Sequence, residues 1–181
     1  HVDYKTLILE EKGAIATLTL SQPDRRNAMS VEMGEEFLRA VTGLRSRKDL
    51  RALVLTGAGR AFCAGGSLDM MRVKTAGASR EENKDSMRYF YERFLALRDV
   101  PFPTLASING YAIGGGHVLH VVCDLSIAGD NAIFGQVGPK MGSVAPGYGT
   151  AFLARVVGEK KAREIWYLNK RYSGQEAVAM G

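Results

Sequence analysis

Cysteine is scarce in this 181-residue chain: Cys63 and Cys123 can close one bridge at most. A disulfide framework is therefore excluded, and with no signal-peptide pattern at the start a reduced, cytoplasmic setting is the default expectation. Long hydrophobic runs are also missing. The most apolar stretch, Val118 to Gly129, is broken by His120 and Asp124 and falls well short of the ~20 residues that a membrane-spanning helix needs, so no membrane partner is expected. Blocks of one charge are absent too. The net charge is +5, from 24 basic and 19 acidic side chains, but residues 1–60 hold ten basic and eight acidic, 61–154 eight of each, and 155–181 six and three. The longest basic stretches are pairs such as Arg25-Arg26, Arg47-Lys48 and Lys160-Lys161, too short for the stripe that tracks a phosphate backbone. Nucleic acid is not an expected partner. Small anionic groups on a ligand remain compatible with the charge.

What the chain does have is enough apolar material, 46% of its residues, to fill the core of one domain. Its 21 glycines are about 12% of the residues against an ordinary ~7%, without a Gly-X-Y period. Leu7–Leu9 and Ala14–Leu20 are short apolar runs around Glu10-Glu11-Lys12-Gly13, which predicts a hairpin with its turn at residues 10–13. Ser30 is a candidate N-cap, and Met33, Phe37, Val41 and Leu44 recur down one face of a helix ending near Ser46. A strand over residues 52–56 follows. Residues 81–98 read as a charged amphipathic helix with Met87, Phe90, Tyr91, Phe94 and Leu97 inward, stopped by Pro101 and Pro103. Beyond it the pattern gives a strand at 104–108, a turn at Asn109-Gly110, a helix opened by Gly114-Gly115-Gly116, strands at 124–128 and 133–135, and helices from 151, 160 and 174. Recurring strand–turn–helix units predict an α/β architecture with helices packed on the sheets.

Two glycine clusters, Phe62-Cys63-Ala64-Gly65-Gly66 and Gly114-Gly115-Gly116-His117, each follow a predicted strand and precede a helix. Glycine lets the backbone approach a ligand closely, and N–H groups at a helix start lack intrahelical partners. Two such turns facing one cavity could stabilise an oxygen atom that gains negative charge, as an oxyanion hole does. Taken singly, each is more often only a tight turn. The dinucleotide spacing GxGxxG and the P-loop are both absent.

The segments Pro23-x-x-x-Asn27-Ala28-Met29, Ala61–Gly66, Asn109–Gly116, Cys123-Asp124-Leu125 and Phe134-Gly135-Gln136, in this order over nearly the whole chain, resemble the crotonase (enoyl-CoA hydratase/isomerase) superfamily. The resemblance implies a spiral of ββα units, an acyl-CoA thioester as substrate, and homotrimers or hexamers. It puts the oxyanion-hole amides on Gly66 and Gly115. It also places backbone around Ala28, Ala64 and Leu68 beside coenzyme A, with Arg25 and Arg26 near its phosphates. The family pattern continues into a further helical segment, so residues 1–181 are expected to be a core domain lacking it.

The catalytic glutamates of hydratases fall on Val118 and Gly138 here, and neither side chain can move a proton. Water addition by paired carboxylates is therefore not expected. Gly115–His120, Gly135–Ser143 and Lys160–Tyr167 resemble more closely the 1,4-dihydroxy-2-naphthoyl-CoA synthase branch and its neighbour, 2-ketocyclohexanecarboxyl-CoA hydrolase. That resemblance implies lyase or hydrolase chemistry through a thioester enolate: C–C bond formation, or hydrolytic cleavage of a ring. It implies bicarbonate as a substitute base near Gln136, Gly138 and Trp166, whose amide and indole N–H suit an anion, and Ser143 near a ring carbonyl. Val137 stands where a hydroxyl residue is usual, and Ala145 where relatives carry an aspartate. His117 and His120 are the remaining proton-transfer candidates, although a helix start disfavours a His117 cation. Two other readings stay open: a divergent hydratase or isomerase, and a non-catalytic CoA-binding subunit.

Overall fold

The structure, a computed structural model, describes residues 3–67, 78–143 and 148–181. The chain opens with β1 (Leu7–Lys12) and β2 (Ile15–Leu20), an antiparallel pair whose ladder runs to Lys12 opposite Ile15. The turn is therefore Gly13-Ala14, not residues 10–13 as the sequence suggested. Glu10, Glu11 and Lys12 are exposed, so their polar side chains cost the strand nothing, and Gly13 at φ +60° supplies the positive φ that a two-residue hairpin turn requires.

α1 (Val31–Arg45) starts where Ser30 accepts a hydrogen bond from Met33 N and buries Met33, Phe37, Val41 and Leu44, the face its spacing predicts. After it come β3 (Ala52–Gly57), β4 (Ala61–Cys63), α2 (Arg80–Arg98), β5 (Thr104–Ile108), β6 (Tyr111–Ile113), α3 (Gly115–Val122), β7 (Leu125–Ala128) and β8 (Ile133–Gly135). The described part ends with α4 (Ala151–Val157), α5 (Glu159–Leu168), β9 (Tyr172–Ser173) and α6 (Gly174–Met180). None of these helices is long and apolar enough to cross a membrane.

The strands form a five-stranded sheet in the order β1-β2-β3-β5-β7 and a four-stranded sheet in the order β4-β6-β8-β9. Each successive pair, β3–β4, β5–β6 and β7–β8, gives its first strand to one sheet and its second to the other, parallel to the strand before. The chain thus winds as a spiral of two-strand steps with helices between, and the expected α/β spiral is what is found. Leu18, Leu53, Leu55 and Phe62 are fully buried, each contributing about 1.5–3 kcal/mol of transfer free energy. Because β4, β6 and β8 are only three residues long, each delivers its following turn to one end of the second sheet.

α2 departs from its expected face. Its Ser79 capping box forms, but the buried residues are Arg93, Phe94, Ala96 and Leu97, while Met87 and Tyr91 are each 36% exposed. Only the C-terminal half of the helix reaches the core, and an arginine occupies a position there that amphipathic patterning assigns to solvent.

Candidate active site

The two glycine turns meet. Gly65 follows β4 at φ +98° and Gly114 follows β6 at φ +56°, both in the region that L side chains avoid. A Cβ added to Gly65 would lie 2.9 Å from Ile113 O and 3.4 Å from Gly115 N; one added to Gly115 would lie 3.8 Å from Gly66 N. The backbone amides of Gly66 and Gly115 are therefore neighbours across a contact that any side chain on Gly65 would force apart. The parallel pairing of β4 with β6 brings them together.

A third segment braces the first turn. Met29 N donates to Gly65 O (2.7 Å), Ser67 N to Met29 O (3.0 Å) and Ala64 N to Arg26 O (3.0 Å). This bridge uses the groups on either side of Gly66 and leaves its N–H outside the ladder. Gly115 N, the first amide of α3, has no intrahelical acceptor. Arg26 and Asn27 adopt left-handed φ of 52° and 53°, and buried Asn27 holds that bend: its Oδ1 accepts from Gln22 N (2.8 Å), and its Nδ2 donates to Ala58 O (2.9 Å) and Ala61 O (2.8 Å). Arg25, Ala28, Ala64 and Gly66 are thereby gathered on one side of the site. Arg25 is exposed, and Ala28 and Ala64 are half-buried. Leu68 and Ala145 lie outside the described residues.

The second side is joined to the first through Val137, whose Cγ2 would be 3.2 Å from a Cβ on Gly114. Next to it, a Cβ on Gly138 would sit 2.6 Å from Trp166 Cζ3 and 2.9 Å from Ser143 O. The indole and the turn closed by Ser143 N donating to Gly138 O (2.9 Å) thus fill the space a side chain at 138 would need. Gly138, Ser143 and Trp166 are brought together here, while the Gln136 side chain turns to His117. The Trp166 Nε1 is buried with no hydrogen-bond partner among the described residues, a condition that ordinarily costs about 1–3 kcal/mol.

The titratable groups nearby are held neutral. His117 is buried, with Nδ1 3.1 Å from Gln136 Nε2, and burial lowers its pKa to about 4. His120, packed edge-on against it at 4.8 Å between ring centroids, is lowered well below the usual histidine value by burial and then by the charge of His117. Val118, between them in sequence, is buried. Cys63 and Cys123 are free, buried thiols pushed up to about 11 and 12 by burial, so neither is a thiolate at neutral pH. Among the described residues no group of three or more His, Cys, Asp or Glu side chains could hold a metal ion. The arrangement offers two adjacent backbone donors and an uncharged pocket wall, without a carboxylate at positions 118 or 138.

The bracing role of Asn27 and the occupation of the 138 position by Trp166 were not read from the sequence as such. A polar residue inside the Pro23–Met29 turn was the only available signal for the first, and a glycine at an expected side-chain position for the second.

A family model described as Enoyl-CoA hydratase/isomerase matches residues 10–181. Among solved structures, DspI of Pseudomonas aeruginosa is 31% identical with a TM-score of 0.90, over 100% of this chain and 68% of that one. Enoyl-CoA hydratase subunit I of Geobacillus kaustophilus HTA426 is 32% identical with a TM-score of 0.89, over 99% and 68%. An enoyl-CoA hydratase of Bacillus anthracis is 29% identical with a TM-score of 0.88, over 98% and 68%.

Proposed function

The chain belongs to the enoyl-CoA hydratase/isomerase (crotonase) family, and from that premise we propose that it binds an acyl-CoA thioester and stabilises the thioester enolate between the amides of Gly66 and Gly115. The observation that carries this reading is the contact of the two turns, with Gly115 N 3.4 Å from the Cβ position of Gly65. A base withdraws the α-proton, the electron pair moves onto the thioester oxygen, and two fixed N–H donors meet the charge that develops there. Arg25, Arg26 and the backbone at Ala28, Ala64 and Leu68 are assigned to the coenzyme A part of the substrate.

The finer proposal is that the enolate serves C–C bond formation or hydrolytic ring cleavage on a cyclic acyl-CoA, as in the naphthoyl-CoA synthase and ketocyclohexanecarboxyl-CoA hydrolase branch. It is supported by the side-chain space at 138 being filled by Trp166 and Ser143, and by the neutral His117 and His120. Bicarbonate belongs to the same proposal: the Trp166 Nε1, unpartnered among the described residues, is a donor open to an acceptor on the ring edge away from Gly138, and Gln136 uses one of its two amide hydrogens on His117. Bound there, bicarbonate would supply the basic oxygen that Val118 and Gly138 lack. Ser143 is assigned to a carbonyl on the ring of the acyl group. Assembly as a trimer or hexamer belongs to the same proposal and is checked by sedimentation.

A divergent hydratase is the second reading, favoured by the names of the Geobacillus and Bacillus relatives. Calorimetric titration with a panel of acyl-CoA thioesters tests the common premise, and absence of binding to all of them sinks it. Hydration of crotonyl-CoA at ordinary hydratase rates would overturn the enolate C–C proposal and leave the hydratase.

A further inference from the structure

Arg93 is 2% exposed, and its Nε, Nη1 and Nη2 are all buried without a hydrogen-bond partner among the described residues. A guanidinium cannot lose its charge at any ordinary pH and carries five N–H donors. Here none is met, and no carboxylate of the described residues forms an ion pair with it. The surroundings are shaped around the group all the same. It occupies the space that a Cβ on Gly34 of α1 would need, and lies 4.0 Å from the centroid of the Tyr89 ring and 5.4 Å from that of Phe90. The ring faces offset the charge but accept none of the in-plane hydrogen bonds. If this seam served packing alone, an apolar side chain of the same volume would serve as well or better.

We propose that the α1–α2 seam at Arg93 is a binding site for a small oxyanion, a carboxylate or a phosphate, taken bidentately by the guanidinium. Tyr89 is the entrance. Its ring is half-buried at the border of the exposed first half of α2, and its hydroxyl is held only by Val31 O at 3.5 Å, so a rotation of one side chain opens the guanidinium to solvent. Bound oxyanion would lock α2 against the first turns of α1. That helix starts two residues after Met29, the residue bridged to Gly66, so the lock lies at the base of the first glycine turn.

The test is thermal unfolding of the whole chain at constant ionic strength, with chloride exchanged stepwise for acetate or for phosphate, together with calorimetric titration of each salt. The expected result is a saturable rise in Tm with at least one anion. A response to acetate alone identifies a carboxylate site, a response to phosphate alone a phosphoryl site, and a response to both a site for either. Arg93→Met abolishes the saturable part while leaving Tm in chloride equal to or above that of the parent. Gly34→Ala, which displaces the guanidinium, abolishes it too, and Trp166→Phe leaves it intact. Arg93→Lys keeps the charge without the fork and binds at least tenfold more weakly. An equal rise in parent and Arg93→Met, which is the general effect of excluded salts, overturns the proposal. So does no response to either anion, or unchanged affinity in Arg93→Lys should the methionine variant fail to fold.

Discussion

The glycine turns and the wall around Gly138 touch through Val137 and the His117–Gln136 contact, yet they are built from opposite materials. On the first side the chemistry is main-chain: two amides, fixed by strand pairing, by positive φ at Gly65 and Gly114, and by the Asn27 brace. Among substitutions only proline, which has no backbone N–H, can remove such a donor directly. On the second side the chemistry belongs to side chains, and each titratable group there is absent or silenced: Val118, Gly138, a His117 lowered to about 4 and a more strongly lowered His120. The difference separates what the fold supplies from what a particular reaction supplies. The half proposed to stabilise an enolate comes with the spiral, and the half that would move protons is open to change.

The strongest way to break the comparison is to remove a main-chain donor alone. Gly115 is the first residue of α3, the one helical position where proline is tolerated, so Gly115→Pro deletes the amide hydrogen and preserves the helix. Turnover of the acyl-CoA that the parent accepts should fall ~10²–10³-fold, with the circular dichroism spectrum unchanged. An undiminished rate would remove Gly115 from the reaction.

The second side predicts a pH effect on stability. The unfolded chain takes up a proton on His117 near 6.5, whereas the folded chain refuses it until about pH 4. Unfolded protein therefore binds more protons between these values, and stability is lost as pH falls through that window, on the order of 3 kcal/mol for His117. His120 acts in the same direction. Urea unfolding at pH 7 and 4.5 should show a clearly smaller loss for His117→Gln than for the parent. Equal losses would place the acid sensitivity elsewhere.

Much of this was legible in the sequence, and the part that was not has a physical reason. Helices and the longer strands of the first sheet announce themselves by local periodicity, so the expected segments at 31–46, 52–56, 104–108, 151–157 and 174 onward are all present. The second sheet is made of strands of two and three residues whose partners are far apart in the chain, and its order is invisible to any local pattern. The two turns could be singled out separately, but their contact follows from β4 pairing with β6. Arg93 was hidden because patterning assigns charge to solvent. Its one trace was Gly34, a glycine in a helix interior, which signals close approach by something across the seam.

Restoring a carboxylate sharpens the comparison further. Gly138→Glu pushes a side chain into the Trp166 ring and Ser143 O, so overpacking should cost about 1–3 kcal/mol, read as a lower urea midpoint, and crotonyl-CoA hydration should not appear. Adding Trp166→Ala makes room and should recover part of that stability. Hydration appearing in the single variant would mean that the wall yields easily and that position 138 was never closed.

The smallest effect tests whether the second side is merely silenced or is completed by an anion. At roughly ten times its Kd, bicarbonate should stabilise the parent by about 1.4 kcal/mol, seen as a Tm rise over chloride at equal ionic strength and pH. Trp166→Phe removes the unpartnered Nε1 while keeping a ring beside Gly138, so this variant should lose the bicarbonate response yet retain its basal fold. The outcome bears on the comparison because the wall has a donor with no acceptor, whereas the turns hold donors left outside their own ladder. If both sides are waiting for oxygen, they hold the two charges of one reaction, the enolate and its base. If Trp166→Phe responds to bicarbonate as the parent does, the indole N–H is only a packing compromise against Gly138, and the proton must be moved from another part of the molecule.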